Sequence, residues 1–239
     1  MKNNYFEKIP DNSENNKDLK NPNQNFSYKP GTIEANGQPE GGRDLSTYEN
    51  ILLFNRDELD GKVVLDLGAG PESKFAKELE ESGVNTKVIS LSPDFSEGKY
   101  SKKVRELLPD GKLVAAVGQA MPFKNETFDR IFALHVLHVG EHISNEVFLE
   151  IVHEIVRVLK KGGQAKLGPM LNMPGIINWL PYEAILQNEA LKDYLDNQGI
   201  EIVKEFIPTT VIPVKKIRDM GGDFYREQSF NIILNKKEN

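Results

Sequence analysis

At 239 residues, 38% of them hydrophobic and 28% charged, the chain can build one sizeable core with room for an appendage. Thirty Lys and Arg against 36 Asp and Glu leave a formal charge of −6, and no basic run is long enough to follow a phosphate backbone, which argues against a nucleic-acid partner. Cysteine is absent, so disulfides, thiolate nucleophiles and cysteine metal sites are excluded together, in keeping with a cytoplasmic setting.

In chain order, residues 1–44 come first. They are rich in Asn, Lys, Pro and Gly, and their scattered apolar side chains show no period. A polar arm is expected there, either a solvated tail or a flap whose Phe26 or Tyr28 closes over a cofactor pocket. Residues 45–239 are expected to form the folded domain. The opening MKNNYFEKIPDNSENN lacks the apolar core of an export signal, and no apolar run reaches the roughly 18–20 residues of a membrane span.

Ser46-Thr47-Tyr48-Glu49 has the pattern of a capping box, and Leu45, Tyr48, Ile51, Leu52 and Leu59 supply an apolar stripe, so a first helix is expected here. Apolar, β-branched runs follow at 63–67, 86–91, 112–117, 128–134, 163–168 and 200–207, separated by helical patterns. The clearest of these carries Val147, Phe148, Ile151, Val152, Ile155, Val156 and Leu159, and is expected to end at Lys160-Lys161-Gly162-Gly163, with cations in its last turn. Strand and helix in alternation predict a mostly parallel sheet covered on both faces, joined by right-handed crossovers. Between 200–207 and Ser229 to Leu234 there is no helical pattern, so the last pair is expected to be antiparallel.

The run VVLDLGAG at 63–70 reads as a strand entering a glycine turn, the usual place for a ligand at the carboxyl end of a parallel strand. With VISLSP about twenty residues on, AMPFKNETFDRIFALHVLHV, and a helix ending IVRVLKKGGQAKL, it resembles the class I S-adenosylmethionine-dependent methyltransferases. The likeness is strongest to the group acting on small molecules such as quinones and sterols, and it covers the chain from about residue 45. It implies a Rossmann-like sheet of seven strands whose last strand is antiparallel and inserted beside the fifth. It implies S-adenosyl-L-methionine as cofactor, with Asp66, Gly68, Ala69 and Gly70 around its methionine end. Ser90 and Leu91 would then lie near the ribose, Val117, Gly118 and Gln119 near the adenine, and His135 would complete the cofactor-binding set. The third glycine of a dinucleotide fingerprint is missing, its place falling near Glu72, which disfavours NAD.

Where the family commonly has acids, this chain has Ser90 and Val117, and each replaced charge-assisted hydrogen bond weakens binding by about 1.5–3 kcal/mol. Asp94 and Gln119 stand close enough in sequence to substitute. The alternative function is therefore a non-catalytic cofactor-binding or interaction protein on the same fold. Four histidines, His135, His138, His142 and His153, fall within nineteen residues, with Glu141 among them. Spacings of three and four residues could put His138 and His142 on one helical face, but Gly140 disfavours a regular helix and the family resembled here often has a His-Val-Leu-Glu-His run without a metal, so none is expected; His153 is expected to be solvated on the polar helix face. His138 is the first candidate for a general base and His135 the second, since imidazole titrates in the range that suits proton removal from a hydroxyl or ammonium. No Asn-Pro-Pro-Tyr follows the fourth strand, so a small-molecule acceptor fits better than a base of DNA. Met170 to Gly175, Trp179, Tyr182 and 215–226, with Asp223, Phe224 and Tyr225, are candidates for the acceptor wall or, equally, for plain core. Nothing in the chain bears on oligomeric state.

Overall fold

The computed structural model describes residues 43–70, 72–96, 112–137, 144–171, 187–207 and 229–238. The expectations for residues 1–42, for Glu141, His138 and His142, and for the acceptor segments 172–182 and 215–226 lie outside them.

Helix α1 (Leu45–Leu52) leads into a 3-10 turn (Arg56–Leu59) and strand β1 (Val63–Leu67). Helix α2 (Lys74–Glu81), strand β2 (Lys87–Leu91), a 3-10 turn (Pro93–Ser96) and a short β3 (Leu113–Val114) follow. Strand β4 (Phe128–Leu134), helix α3 (Asn145–Val158), strand β5 (Leu159–Leu171), helix α4 (Glu189–Asn197), and strands β6 (Ile200–Phe206) and β7 (Ser229–Lys236) complete the set. The strands form one seven-stranded sheet in the order β3-β2-β1-β4-β5-β7-β6. Pairings are parallel from β3 through β5, whereas β7 runs antiparallel to both β5 and β6. The expected mostly parallel Rossmann-like sheet, with its antiparallel last strand beside the fifth, is present.

Alternation along the buried strands assigns each face. Val64 and Asp66 of β1, Val88 and Ser90 of β2, and Phe132 and Leu134 of β4 are all buried, and the apolar ones among them pack with α1 and α2. Leu65, Leu67, Ile89, Leu91, Ile131 and Ala133 pack on the other face with Phe148, Ile151 and Ile155 of α3 and Leu191 and Leu195 of α4.

Two local expectations are corrected. The cap of α1 is Asp44, not Ser46: the Thr47 amide donates to Asp44 Oδ1 at 2.8 Å, and the Thr47 hydroxyl donates to the same oxygen. Glu49, the acid of the expected box, instead pairs with Arg56, and Leu59 belongs to the separate 3-10 turn. The second correction concerns α3, which stops at Val158 because Leu159 is already extended and paired with Phe128. Lys160 and Lys161 are therefore strand residues, and Gly162, at φ +71°, lies in the bulge where the β4–β5 register shifts. The ammonium that meets the last carbonyls of α3 comes from β7: Lys236 Nζ donates to Val156 O at 3.1 Å and Leu159 O at 2.9 Å.

The carboxyl end of α1 is answered in a similar way. Lys166, buried in β5, donates to Leu52 O at 2.9 Å and Leu53 O at 2.7 Å, with Glu205 at 3.3 Å, while Asn231 Nδ2 on β7 donates to Ile51 O at 2.7 Å. Replacing Lys166→Met removes both donors and leaves the two carbonyls and Glu205 without them. A loss of roughly 1–3 kcal/mol is expected, read as a lower urea midpoint at unchanged slope.

Candidate functional site at the carboxyl edge of the sheet

Because β1 to β4 are parallel and in register, their carboxyl ends open on one edge. The loop after β1 is stitched to β2 there: the Gly68 amide donates to Leu91 O at 2.8 Å and the Ala69 amide to the same oxygen at 3.3 Å. Leu91 is thus a backbone contributor, its side chain being core. The two glycines serve different needs. At Gly68, φ +75°, a side chain would run into Val136 in the segment after β4, so glycine permits the two loops to close on one another. At Gly70, φ +70°, a Cβ would meet no atom within 4 Å, so the backbone there faces open space.

Three buried oxygens without a hydrogen-bond partner border this loop: Asp66 Oδ2, Ser90 Oγ and Ser73 Oγ. Asp66 and Ser90 are neighbours in register, and both are fully buried. Ser73 opens α2 in a left-handed conformation (φ 44°, ψ 43°) and makes no side-chain cap bond. Unanswered polar groups in the interior are rare; of the five among the described residues, these three lie on the elements that flank the glycine loop, and the other two, Asn145 Oδ1 and Asn231 Oδ1, lie on α3 and β7. Glu72 is half-buried in the same turn.

After β3, Val117 is 46% exposed, Gly118 lies against Ile151 of α3 and Gln119 is half-buried. The chain beyond them is pinned to α3. The Met121 amide donates to Glu154 Oε2 at 2.8 Å; Arg157 donates to Met121 O at 2.9 Å, Phe123 O at 2.7 Å and Asn125 Oδ1 at 3.0 Å, and pairs with Glu154 at 2.6 Å. The Arg157 hydrogen bond holds the Glu154 carboxyl below its usual range and raises Arg157 in turn.

His135 follows β4 at φ +57°, its amide bonded to Gly168 O at 2.8 Å. For a residue with a Cβ that conformation costs roughly 1–2 kcal/mol, and it sets His135 just before Val136, the side chain that faces Gly68. His153 is corrected: it is half-buried against Tyr194, with ring centroids 3.7 Å apart, and burial lowers its pKa. It stands on α3, apart from His135. A groove lined by Lys192, Asp196, Ile200, Glu201, Ile202 and Lys237 lies near the start of β6, at the opposite edge of the sheet from the glycine loop.

Comparison with known proteins now bears on this edge. Residues 65–166 match the family model described as "Methyltransferase domain". The match runs from β1 into β5 and leaves the rest of the chain outside it. The chain is 31% identical over 115 residues to the tRNA (carboxymethyluridine(34)-5-O)-methyltransferase of Saccharomyces cerevisiae, covering 48% of this chain and 38% of that protein. It is 28% identical over 142 residues to the sterol 4-C-methyltransferase strm-1 of Caenorhabditis elegans, covering 59% and 40% respectively. It therefore spans about two fifths of the length of these curated relatives. Among solved structures, a Pyrococcus horikoshii OT3 protein superposes with TM-score 0.52 at 16% identity, over 80% of this chain and 90% of that one. That likeness supports the fold.

The glycine loop, Ser90, the 117–119 loop and His135 all fall inside the matched residues 65–166, but the partner of the Asp66 carboxylate does not. Tyr48 of α1 donates its phenol hydrogen to Asp66 Oδ1 at 2.7 Å and stacks on Phe75 of α2 with centroids 4.2 Å apart. Read from the sequence, Tyr48 is only an apolar position of a first helix. The available signal was chemical: a tyrosine on a buried stripe needs a partner for its hydroxyl. Burial pushes the Asp66 carboxyl up to about 7, opposed by the Tyr48 hydrogen bond and the Arg43 charge. Burial, then the Asp66 charge, hold the Tyr48 phenol well above its ordinary value.

Since the folded-state value of Asp66 lies above the unfolded one, the stability drawn from its proton is whole below pH 3.8 and is lost as pH rises through about 7. Asp66→Asn, which still accepts from Tyr48, should be the more stable protein above pH 7, by up to about 4 kcal/mol. The difference should vanish near pH 4 in denaturation followed across pH.

Proposed function

We propose that this chain moves a methyl group from S-adenosyl-L-methionine to a small-molecule acceptor. The observation that carries the reading is the open space at Gly70, at the carboxyl end of β1 inside the matched domain, with Asp66 Oδ2, Ser90 Oγ and Ser73 Oγ unanswered around it. A ligand rich in hydroxyl, amino and carboxylate groups fits such surroundings.

In this reading Asp66, Gly68, Ala69 and Gly70 hold the methionine end of the cofactor. Ser90 and the Leu91 backbone border its ribose, and Val117, Gly118 and Gln119 its adenine. When bound, the cofactor supplies an electrophilic methyl group on a sulfonium. The chain's own part is to align the acceptor with that methyl and to exclude water. His138 takes the proton from an acceptor hydroxyl or ammonium, with His135 at the pocket mouth as the second candidate.

A small acceptor is favoured by the formal charge of −6 and the sequence pI of about 5.4, which oppose a polyanion. The names of the relatives cover both a tRNA uridine and a sterol, so the acceptor screen must contain both classes. A cytoplasmic location is part of the same reading, supported by the absence of cysteine.

Calorimetry of the full chain with S-adenosylmethionine, S-adenosylhomocysteine and NAD should give binding near micromolar, about −8 kcal/mol, to the first two alone. Gly70→Asp should abolish that binding while circular dichroism stays unchanged. Binding of none of the three by wild type moves the assignment to a non-catalytic protein on this fold. Labelled methyl transfer to sterols and quinones, with bulk tRNA as the competing acceptor, then tests substrate class. With the accepted substrate, His138→Ala should lower kcat about a hundredfold at unchanged cofactor affinity.

A further inference from the structure

Asp66 is the one carboxylate fully buried at this edge among the described residues, and its two oxygens are treated differently: Oδ1 receives the Tyr48 hydroxyl at 2.7 Å, and Oδ2 receives nothing. Tyr48 lies outside the matched residues, on a helix fastened at both ends. The Leu45 amide donates to Glu78 Oε2 of α2 at 2.8 Å, and the far end is held by Lys166 and Asn231. With its ring stacked on Phe75, the phenol has little freedom to turn away.

We infer that Tyr48 is a positioning residue for the cofactor seat, its phenol favouring the ionised Asp66 carboxylate and turning it so that Oδ2 accepts from a cationic ammonium of the ligand. The inference deepens the cofactor reading above and rests on it. A buried carboxylate stays charged only when donors or cations answer it, and removing the phenol leaves a group that takes up a proton instead. A protonated Asp66 cannot serve a cation. Among the described residues, the titratable or charged groups that reach Asp66 are Tyr48 on α1 and Arg43 just before it. At the paired positions β2 presents Ser90 and β4 presents Phe132, both uncharged, and α2 presents Phe75 against Tyr48. Cofactor affinity should therefore rise with pH as Asp66 ionises, and Tyr48 should set where that rise falls.

The test uses the full chain, wild type and Tyr48→Phe, since phenylalanine keeps the stack on Phe75. Carbon-13 NMR follows the Asp66 side-chain carboxyl, with its resonance assigned by Asp66→Asn, and calorimetry measures S-adenosylhomocysteine affinity from pH 5.5 to 9. In Tyr48→Phe the carboxyl should titrate about one pH unit higher. Affinity should be about fivefold weaker at pH 7, approach tenfold weaker toward pH 5.5, and recover to within about twofold of wild type at pH 9. An unchanged Asp66 titration, or a loss of affinity equal at every pH, overturns the inference. A shifted titration in a protein that binds no S-adenosylhomocysteine at any pH upholds the hold of Tyr48 on the carboxylate and overturns the cofactor reading.

Discussion

A charged or amide side chain buried in the middle of a sheet must be answered, and on one face of this sheet a single helix does the answering. Asp66 of β1, Lys166 of β5 and Asn231 of β7 all lie buried in strands, and α1 meets each of them: the Tyr48 hydroxyl to Asp66, the Leu52 and Leu53 carbonyls to Lys166, and the Ile51 carbonyl to Asn231. The signs match the helix. The ammonium takes the carboxyl end, where unpaired carbonyls carry partial negative charge, and the carboxylate receives a neutral donor from the turn before. Removing α1 would leave three uncompensated polar groups in an apolar layer, so the helix and the sheet specify one another.

That constraint reaches the site because the same carboxylate stands at its base. The carboxyl edge is assembled from pieces far apart in sequence, each held by backbone or charge-assisted bonds: the glycine loop on Leu91, the 117–125 loop on Glu154 and Arg157 of α3, and His135 on Gly168 of β5. Rigid strands set the spacing, and the loops inherit it. What the edge leaves open, at Gly70, is bordered by oxygens that lack donors, which is a cost to the folded chain that a bound ligand can offset.

Ser90 is buried beside Asp66, one residue short of the end of β2. Two acids side by side in that layer would repel, and one carboxylate there is already difficult to keep charged. A serine is the compatible neighbour.

Much of the architecture was legible in the chain. Period-two and period-3.6 hydrophobicity located each strand and the main helices, because burial on both faces forces near-continuous apolar strands and an apolar stripe on each helix. The antiparallel end followed from the missing helical pattern before Ser229, and the glycine turn from VVLDLGAG. What one-dimensional pattern could not supply were contacts between residues distant in sequence. Asp44 outcompeted Ser46 as the cap of α1, and the cation meeting the last turn of α3 arrived from Lys236 on β7 while Lys160 and Lys161 joined a strand. The phenol on Asp66 came from a helix read only as amphipathic. Local propensity and periodicity are properties of neighbours in the chain, so the sequence by itself determined the elements, their order and the glycine seat. Which polar groups meet in the buried layer depends on how those elements pack, and only the tertiary structure decided it.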